Sequence, residues 1–328
     1  MKMTTGLRGA ALLALAVLTF APTALRAQTY PNGTIKIIVP FAAGATTDVM
    51  ARLVANKMQE NWKVPVIVEN KAGASGLVGA QQAFKSPADG YTLVLVTDHH
   101  VSLPNMYKSV PFDPVKDFTP IMMMGQAPNV FVVNSASPIR TIQELIAAAR
   151  ANPGGLSYGS AGLGGSNHMT TELFKQQAKV DILHIPHRGG APNATAIVGN
   201  QVPMAVSLLP TIEGFIKNGQ VRALAISSAK RHPLFPDVPT LAESGFPGFE
   251  TFEWWAMLGP AGMPKDLVNK LNGEFIRILS LPDIRDKFDK IGVEYGGPTT
   301  PEQTAAYMAA EMERWTTVAK NAGMKPEG

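Results

Sequence analysis

The sequence predicts an α/β protein whose strands are mainly parallel and fall into two lobes around a cleft. Three observations lead there. Short β-branched runs alternate with helical patterns, as strand–helix–strand units require. Two well-separated stretches, Ile35 to Asp48 and Tyr158 to His168, share one plan, in which a strand enters a glycine-bearing loop that opens directly onto a helix. With 328 residues, 45% of them hydrophobic, the chain holds enough apolar material for a core divided between lobes.

The first 27 residues stand apart from that pattern. Lys2 and Arg8 precede an apolar run from Ala10 to Phe20, and small residues follow up to Ala27, which reads as a secretory signal peptide cleaved near Ala27. The run is about 11 residues long, short of the roughly 20 that a membrane span needs. Lys2, Arg8 and Arg26 supply three of the four net positive charges, so the mature chain carries only +1. No lysine- or arginine-rich run remains to attract nucleic acid or a membrane surface. The absence of cysteine excludes disulfides and thiolate metal sites.

In order, the expected strands are Thr34 to Val39, Val64 to Glu69, Thr92 to Thr97, Asn129 to Asn134, Leu156 to Gly159, Asp181 to Ile185, Met204 to Ser207 and Arg222 to Ser227. A helix over Asp48 to Asn61 aligns Val49, Met50, Leu53, Val54 and Met58 on one stripe. Another, Thr141 to Ala151, opens on the capping-box spacing Thr141-x-x-Glu144 and stops before Asn152-Pro153-Gly154. A glycine-bearing turn, Gly73 to Gly79, precedes a helix reaching Phe84. Six prolines between Pro233 and Pro264 break regular structure ahead of helices at Lys265 to Leu279 and Pro301 to Asn321. Met122 to Met124 and Trp254-Trp255 read as packing between lobes or against the C-terminal segment.

The two strand–loop–helix junctions carry chemistry. Each aims unpaired backbone N–H groups and the positive end of a helix dipole at one point, which favours an anion. Paired across a cleft, they would grip a negatively charged small molecule from both sides. Thr46 and Thr47 offer hydroxyls at the first junction, whereas Asp48 either contacts the ligand or only caps its helix. Ser75, Thr97 and Asp98 fall at strand or loop ends, where open α/β sheets bind ligands. Of the adjacent His99 and His100, only one can face a given site on extended backbone; His99 and His168 are candidates to line a carboxylate pocket, and His184 reads as structural.

A series of motifs resembles one family from end to end. Ile37-Ile38-Val39-Pro40-Phe41-Ala42-Ala43-Gly44 with Asp48 and Ala51-Arg52, Val68-Glu69-Asn70-Lys71-Ala72-Gly73, Ala88-Asp89-Gly90-Tyr91-Thr92, Tyr158-Gly159-Ser160, His187-Arg188-Gly189-Gly190-Ala191-Pro192, Val221-Arg222-Ala223-Leu224-Ala225 and Asp237-Val238-Pro239-Thr240-Leu241-Ala242-Glu243-Ser244-Gly245 follow in order. They resemble the Bug family, the periplasmic solute receptors of tripartite tricarboxylate transporters. The resemblance implies a type II periplasmic binding fold whose chain crosses between lobes twice, with hinges near Gln126 to Pro128 and Ser227 to Ala229. Lobe 1 would then comprise residues 28–127 and 228–328, and lobe 2 residues 128–227.

It also implies a monomer that delivers a small organic carboxylate (a dicarboxylate, acidic amino acid or aromatic acid) to membrane transporter subunits. The alternatives are a ligand sensor for a two-component system and a periplasmic enzyme acting on organic acids. The expected ligand-binding set is Phe41, Ala42, Gly44, Ala45, Thr46, Thr47, Asp48, Ala74, Ser75, Thr97, His99, Ser160, Ala161, Gly164, Gly165, Ser166, His168, Arg188 and Ser207. Two residues depart from the family pattern. Ala45 replaces a common second glycine, where a methyl restricts φ. His187-Arg188 replaces an aromatic–lysine pair, and Arg188 either enters the cleft as a bidentate carboxylate partner or points outward into solvent.

Catalytic frames are missing. No G-x-S-x-G elbow, no G-x-x-x-x-G-K-[ST] loop and no complete dinucleotide fingerprint occurs, since Asn167 stands where the last would need glycine. No catalytic residue, metal ligand or cofactor is expected.

Overall fold

A computed structural model describes residues 30 to 327; the expected signal peptide lies outside the described residues. Among the described residues nine strands form two sheet halves joined by one long strand. In chain order they are β1 (Ile35–Val39), β2 (Val66–Asn70), β3 (Thr92–Thr97), β4 (Phe118–Asn134), β5 (Ser157–Ser160), β6 (Leu183–Pro186), β7 (Met204–Leu208), β8 (Val221–Ile226) and β9 (Phe252–Pro260). The order is β2-β1-β3-β9-β4-β7-β5-β6, with β8 also paired to β4.

Strand β4 explains the two-lobed form. Through Pro128 it pairs with β9 in the first sheet, and from Asn129 it pairs with β7 and β8 in the second. Its N-terminal half, Phe118 to Pro128, and the whole of β9 are strand where the sequence reading had none. Glycine, prolines and a methionine run hide the periodicity of the first, and two adjacent tryptophans that of the second. The outer pairs β1–β2, β1–β3, β5–β6 and β5–β7 are parallel as expected; the crossing strands β4 and β9 pair antiparallel, so each half is mixed.

Among the described residues ten helices flank the sheets. They are α1 (Thr46–Trp62), α2 (Leu77–Phe84), α3 (His99–Met106), α4 (Ile142–Ala151), α5 (Ser166–Ala178), α6 (Gly190–Val198), α7 (Leu209–Lys217), α8 (Lys265–Leu279), α9 (Pro282–Lys290) and α10 (Pro301–Asn321). Among the described residues none is long and apolar enough to cross a membrane. Thr141 caps α4 by accepting the Glu144 N–H at 3.1 Å, but the Glu144 carboxylate turns to the Arg140 N–H instead of closing a full box.

The central strands β1, β3, β4, β7 and β9 are buried on both faces, which is why they read as near-continuous apolar runs, whereas the edge strands β2 and β6 are part-exposed. Ile35, Ile37 and Val39 enter one core with Met50, Val54 and Met58 of α1, while the intervening Ile38 enters the core on the other face. The second sheet repeats the arrangement, with Phe131 and Val133 on one side and Val130 and Val132 on the other. Trp254 packs against the C-terminal α10 and Trp255 into the α1 side. Leu241, Phe246 and Phe249 belong to a core of the second sheet, so the chain after β8 stays with that sheet before returning through Thr251 into β9.

Candidate functional site: the mouth between two glycine loops

The first loop runs from β1 to α1 and is held by one carboxylate. Asp48 accepts the Gly44 N–H at 2.9 Å, Arg52 Nε at 3.0 Å and Asn70 Nδ2 at 2.9 Å. Asn70 donates also to the Phe41 carbonyl at 3.1 Å, tying the loop to β2. Burial works to raise the Asp48 pKa, but the Arg52, Gly44 and Asn70 donors hold it below the usual carboxylate range. The Asp48 oxygens therefore serve the loop. Gly44 takes φ of 84°, whereas Ala45 caps α1 at φ −69°, an ordinary value for a residue with a Cβ. The methyl at Ala45 thus costs the backbone nothing, because the glycine occupies the one position that needs it.

At the α1 N-terminus, Thr47 is buried and accepts the Trp255 indole N–H at 2.9 Å. Thr46 is half-buried at the mouth, beside exposed Ala42, Gly44 and Ala45. Ala74 and Ser75 follow in succession at φ 46° and 53°, the left-handed region that non-glycine residues avoid. Ser75 accepts from the Tyr107 hydroxyl at 3.4 Å and lines a small recess with Phe41, Thr97 and His99. Thr97 bonds His99 Nδ1 at 3.2 Å, and the His99 ring meets Phe41 edge-on at 5.9 Å.

The second loop runs from β5 to α5. Ser160 Oγ lies 2.6 Å from His184 Nε2 and accepts the Gly162 N–H at 3.1 Å. His168 Nδ1 accepts the Gly164 N–H at 3.0 Å, which places its proton on Nε2. His168 stacks on His184 at 4.1 Å, and His184 on Tyr158 at 4.8 Å. Burial pushes both histidines down, His168 to about 4 and His184 to about 3, so both are neutral at physiological pH.

The loops meet at a close contact. A Cβ on Gly165 would lie 2.5 Å from His99 Cε1 and Nε2, and one on Gly164 would overlap the Met106 sulfur. Ser166, the first residue of α5, donates to Asn129 Oδ1 and Glu253 Oε2, both at 3.4 Å. Phe41, Ser75, Thr97 and His99 of the first sheet thereby adjoin Gly164, Gly165 and Ser166 of the second. Ser207 lies deeper, accepting from Asn193 Nδ2 at 3.2 Å. Arg188 is exposed; the amides of its neighbours His187 and Gly189 bond the Ser160 and Ala161 carbonyls at 3.0 Å each, which sets it at the loop rim.

Sequence reasoning missed Glu253, Asn129 and Met106. Asn129 is fully buried where β4 changes sheets; it donates to Thr170 at 3.2 Å and accepts from Asn167 at 2.6 Å. Only the path of β4 and β9 gives these residues their place, and neither path has a local signal. A more voluminous cavity lies elsewhere. It is a groove of about 1010 Å³ beside the 228–234 segment and the end of α9, whose walls carry scattered charges of both signs and none of the mouth residues. Among the described residues no group of His, Cys, Asp or Glu is arranged to hold a metal ion.

Two α/β halves joined by crossing strands, with a helix N-terminus from each half at one mouth, define a two-lobed binding protein. Residues 50–324 match the model of the tripartite tricarboxylate transporter family receptor, and the chain belongs to that family of periplasmic solute-binding receptors. It is 36% identical to protein BugT of Bordetella pertussis over 91% of this chain and 92% of that one. Among solved structures it resembles Rpa4515 of R. palustris with adipate (TM-score 0.81, 35% identity, covering 91% of this chain and 100% of that one). It also resembles MatC of Rhodopseudomonas palustris with bound malate (TM-score 0.78, 29% identity, covering 88% and 100%).

Proposed function

We propose that this receptor closes its lobes around a small organic carboxylate and presents the closed form to the membrane subunits of its transporter. The observation that carries the reading is the convergence of α1 and α5. The first loop reaches the α5 N-terminus by way of His99, whose ring meets Phe41 at 5.9 Å and Gly165 across the lobes. The adipate and malate held by two similar structures agree with an anionic solute. Within the mouth, Thr46, Ser75, Thr97, His99, Ser166 and the amides of Phe41 to Ala43, Ala161, Leu163 and Gly165 are the proposed contacts, with Arg188 at the rim; the Gly44, Gly162 and Gly164 amides are held by the loops themselves.

The hinges of this reading are Pro128–Asn129 and Thr251. The second falls later than Ser227–Ala229, since Leu241, Phe246 and Phe249 pack with the second sheet. The mature protein is an exported monomer that begins after Ala27, and it returns its solute chemically unchanged. A thermal-shift screen of mono- and dicarboxylates, followed by mass spectrometry of the recovered ligand, tests the proposal. Stabilisation by carboxylates recovered intact is expected. Stabilisation by sugars or cations alone, or conversion of the acid to a product, would overturn it.

A further inference from the structure

The groove of about 1010 Å³ draws its walls from both halves of the molecule and shares no residue with the mouth. Leu209 and Glu213 of α7, which packs on the second sheet, line one side; Asp286, Asp289 and Lys290 of α9, which packs on the first, line the other. Two contacts between the halves fix its shape. Gly292 takes φ of 67°, and a Cβ there would lie 2.3 Å from the Pro210 Cβ of α7, so glycine alone allows this approach. His232 Nε2 lies 3.2 Å from Glu294 Oε1. The groove is thus built by the packing of the two halves.

Its lining is apolar below and charged above. Leu209, Phe252 and Val293 line it and are nearly buried, whereas Leu234 is 49% exposed. That exposure is imposed by the local structure. His232 Nδ1 accepts the Leu234 N–H at 3.2 Å, Arg231 donates to the Pro236 carbonyl at 3.0 Å, and the next residue, Phe235, packs against a core of the second sheet. A hydrogen-bonded turn therefore holds a large apolar side chain in water, where burial by a partner would be favourable. Around it five carboxylates face three lysines and arginines. Arg231 is engaged by Glu243, while Asp286, Asp289 and Glu250 are exposed and have no ion-pair partner among the described residues. Negative charge is in excess.

We propose that this groove docks a periplasmic segment of the transporter's membrane subunit, one that offers an apolar side chain to Leu234 and lysine or arginine to Asp286 and Asp289. The proposal rests on the reading that the receptor serves such subunits, and it adds the surface and the chemistry of the meeting. Charge complementarity selects the partner: an acidic rim around an apolar floor fits a basic, amphipathic segment and repels an acidic one. Because none of the mouth residues lines the groove, a receptor that holds its solute keeps this surface free. Because both halves supply walls, the partner touches the whole molecule at once and not a single lobe.

The chain has no native cysteine, so Lys230→Cys at the groove can be tagged alone with a benzophenone maleimide. Illuminated with membranes that carry the transporter, the tagged receptor is expected to form an adduct with an integral membrane subunit, identified by mass spectrometry. Lys116→Cys, exposed and outside the groove, should give at least about tenfold less. Asp286→Lys combined with Asp289→Lys should cut the Lys230→Cys adduct by more than about tenfold, because like charges then meet, and Leu234→Asp should do the same. Raising salt from about 50 mM to about 300 mM should also lower the yield. Thermal stabilisation by carboxylates should be unchanged in these variants, which separates the groove from the mouth. Adducts with soluble proteins alone, equal yields from Lys116→Cys and Lys230→Cys, or charge reversals that leave the adduct undiminished would overturn the inference and leave the carboxylate reading standing.

Discussion

The Asp48 carboxylate accepts the Gly44 N–H at 2.9 Å, so the side chain that opens the first turn of α1 also fixes the loop leading into it. The same group is bound by Arg52 and Asn70, which makes Asp48 the point where loop, helix and β2 are joined. Asp48→Ala should lower stability by about 1–3 kcal/mol in urea unfolding, because Gly44, Arg52 and Asn70 all lose an acceptor. Carboxylate affinity should fall more than stability alone accounts for. Since the folded pKa is depressed, the Asp48 contribution is complete above the unfolded value of 3.8 and is lost as pH falls through the folded one.

Gly165→Ala is expected to hold the lobes apart. Gly165 sits at φ −77°, which alanine adopts freely, so the backbone is not strained. The new methyl instead meets the His99 ring. Overpacking of this kind costs about 1–3 kcal/mol, enough to weaken carboxylate binding by about fivefold to 150-fold in calorimetry. Adding His99→Ala should recover closure, seen as a compact form by small-angle scattering. No recovery would place the fault elsewhere.

The histidine stack should refuse protons. Both His168 and His184 titrate lower in the folded chain, to about 4 and about 3, so their share of stability is complete above 6.5 and drains away as pH falls toward those values. Proton NMR should show the two rings unprotonated at about pH 5, while His99, whose pKa is raised, titrates above its ordinary value. Titration of His168 or His184 near neutrality would contradict the buried, stacked geometry.

Asn129→Ala removes a fully buried amide whose partners Asn167, Ser166 and Thr170 are themselves buried. A loss of about 2–4 kcal/mol is expected in chemical denaturation. Because the site is where β4 passes between sheets, amide hydrogen exchange should quicken at Ser227 and Thr251, whose backbone bonds join the same node.

Much of the architecture was legible. The helix at Lys265–Leu279, the helix at Pro301–Asn321 and the strand at Thr92–Thr97 were bounded correctly because amphipathic period, proline and β-branched runs act locally. Both glycine loops were visible because a positive φ leaves few choices of residue. Strand β9 was not, since Phe252 to Pro260 is buried on both faces and carries no alternation. Glu253 within it reads as an ordinary strand acid until the fold brings the Ser166 hydroxyl to it.

By itself, then, the sequence determined the local parts: which segments are strand or helix, where glycine must turn the chain, and that two glycine loops open directly onto helix N-termini. These follow from backbone sterics and side-chain periodicity, which act over a few residues. Tertiary structure decided the rest. It brought Gly165 against His99, set Glu253 within reach of Ser166 from the other sheet, and turned Asp48 inward to hold its own loop. Those relationships depend on β4 and β9 crossing between the sheets, and contacts across such distances in the chain arise only when the cores on either side have packed.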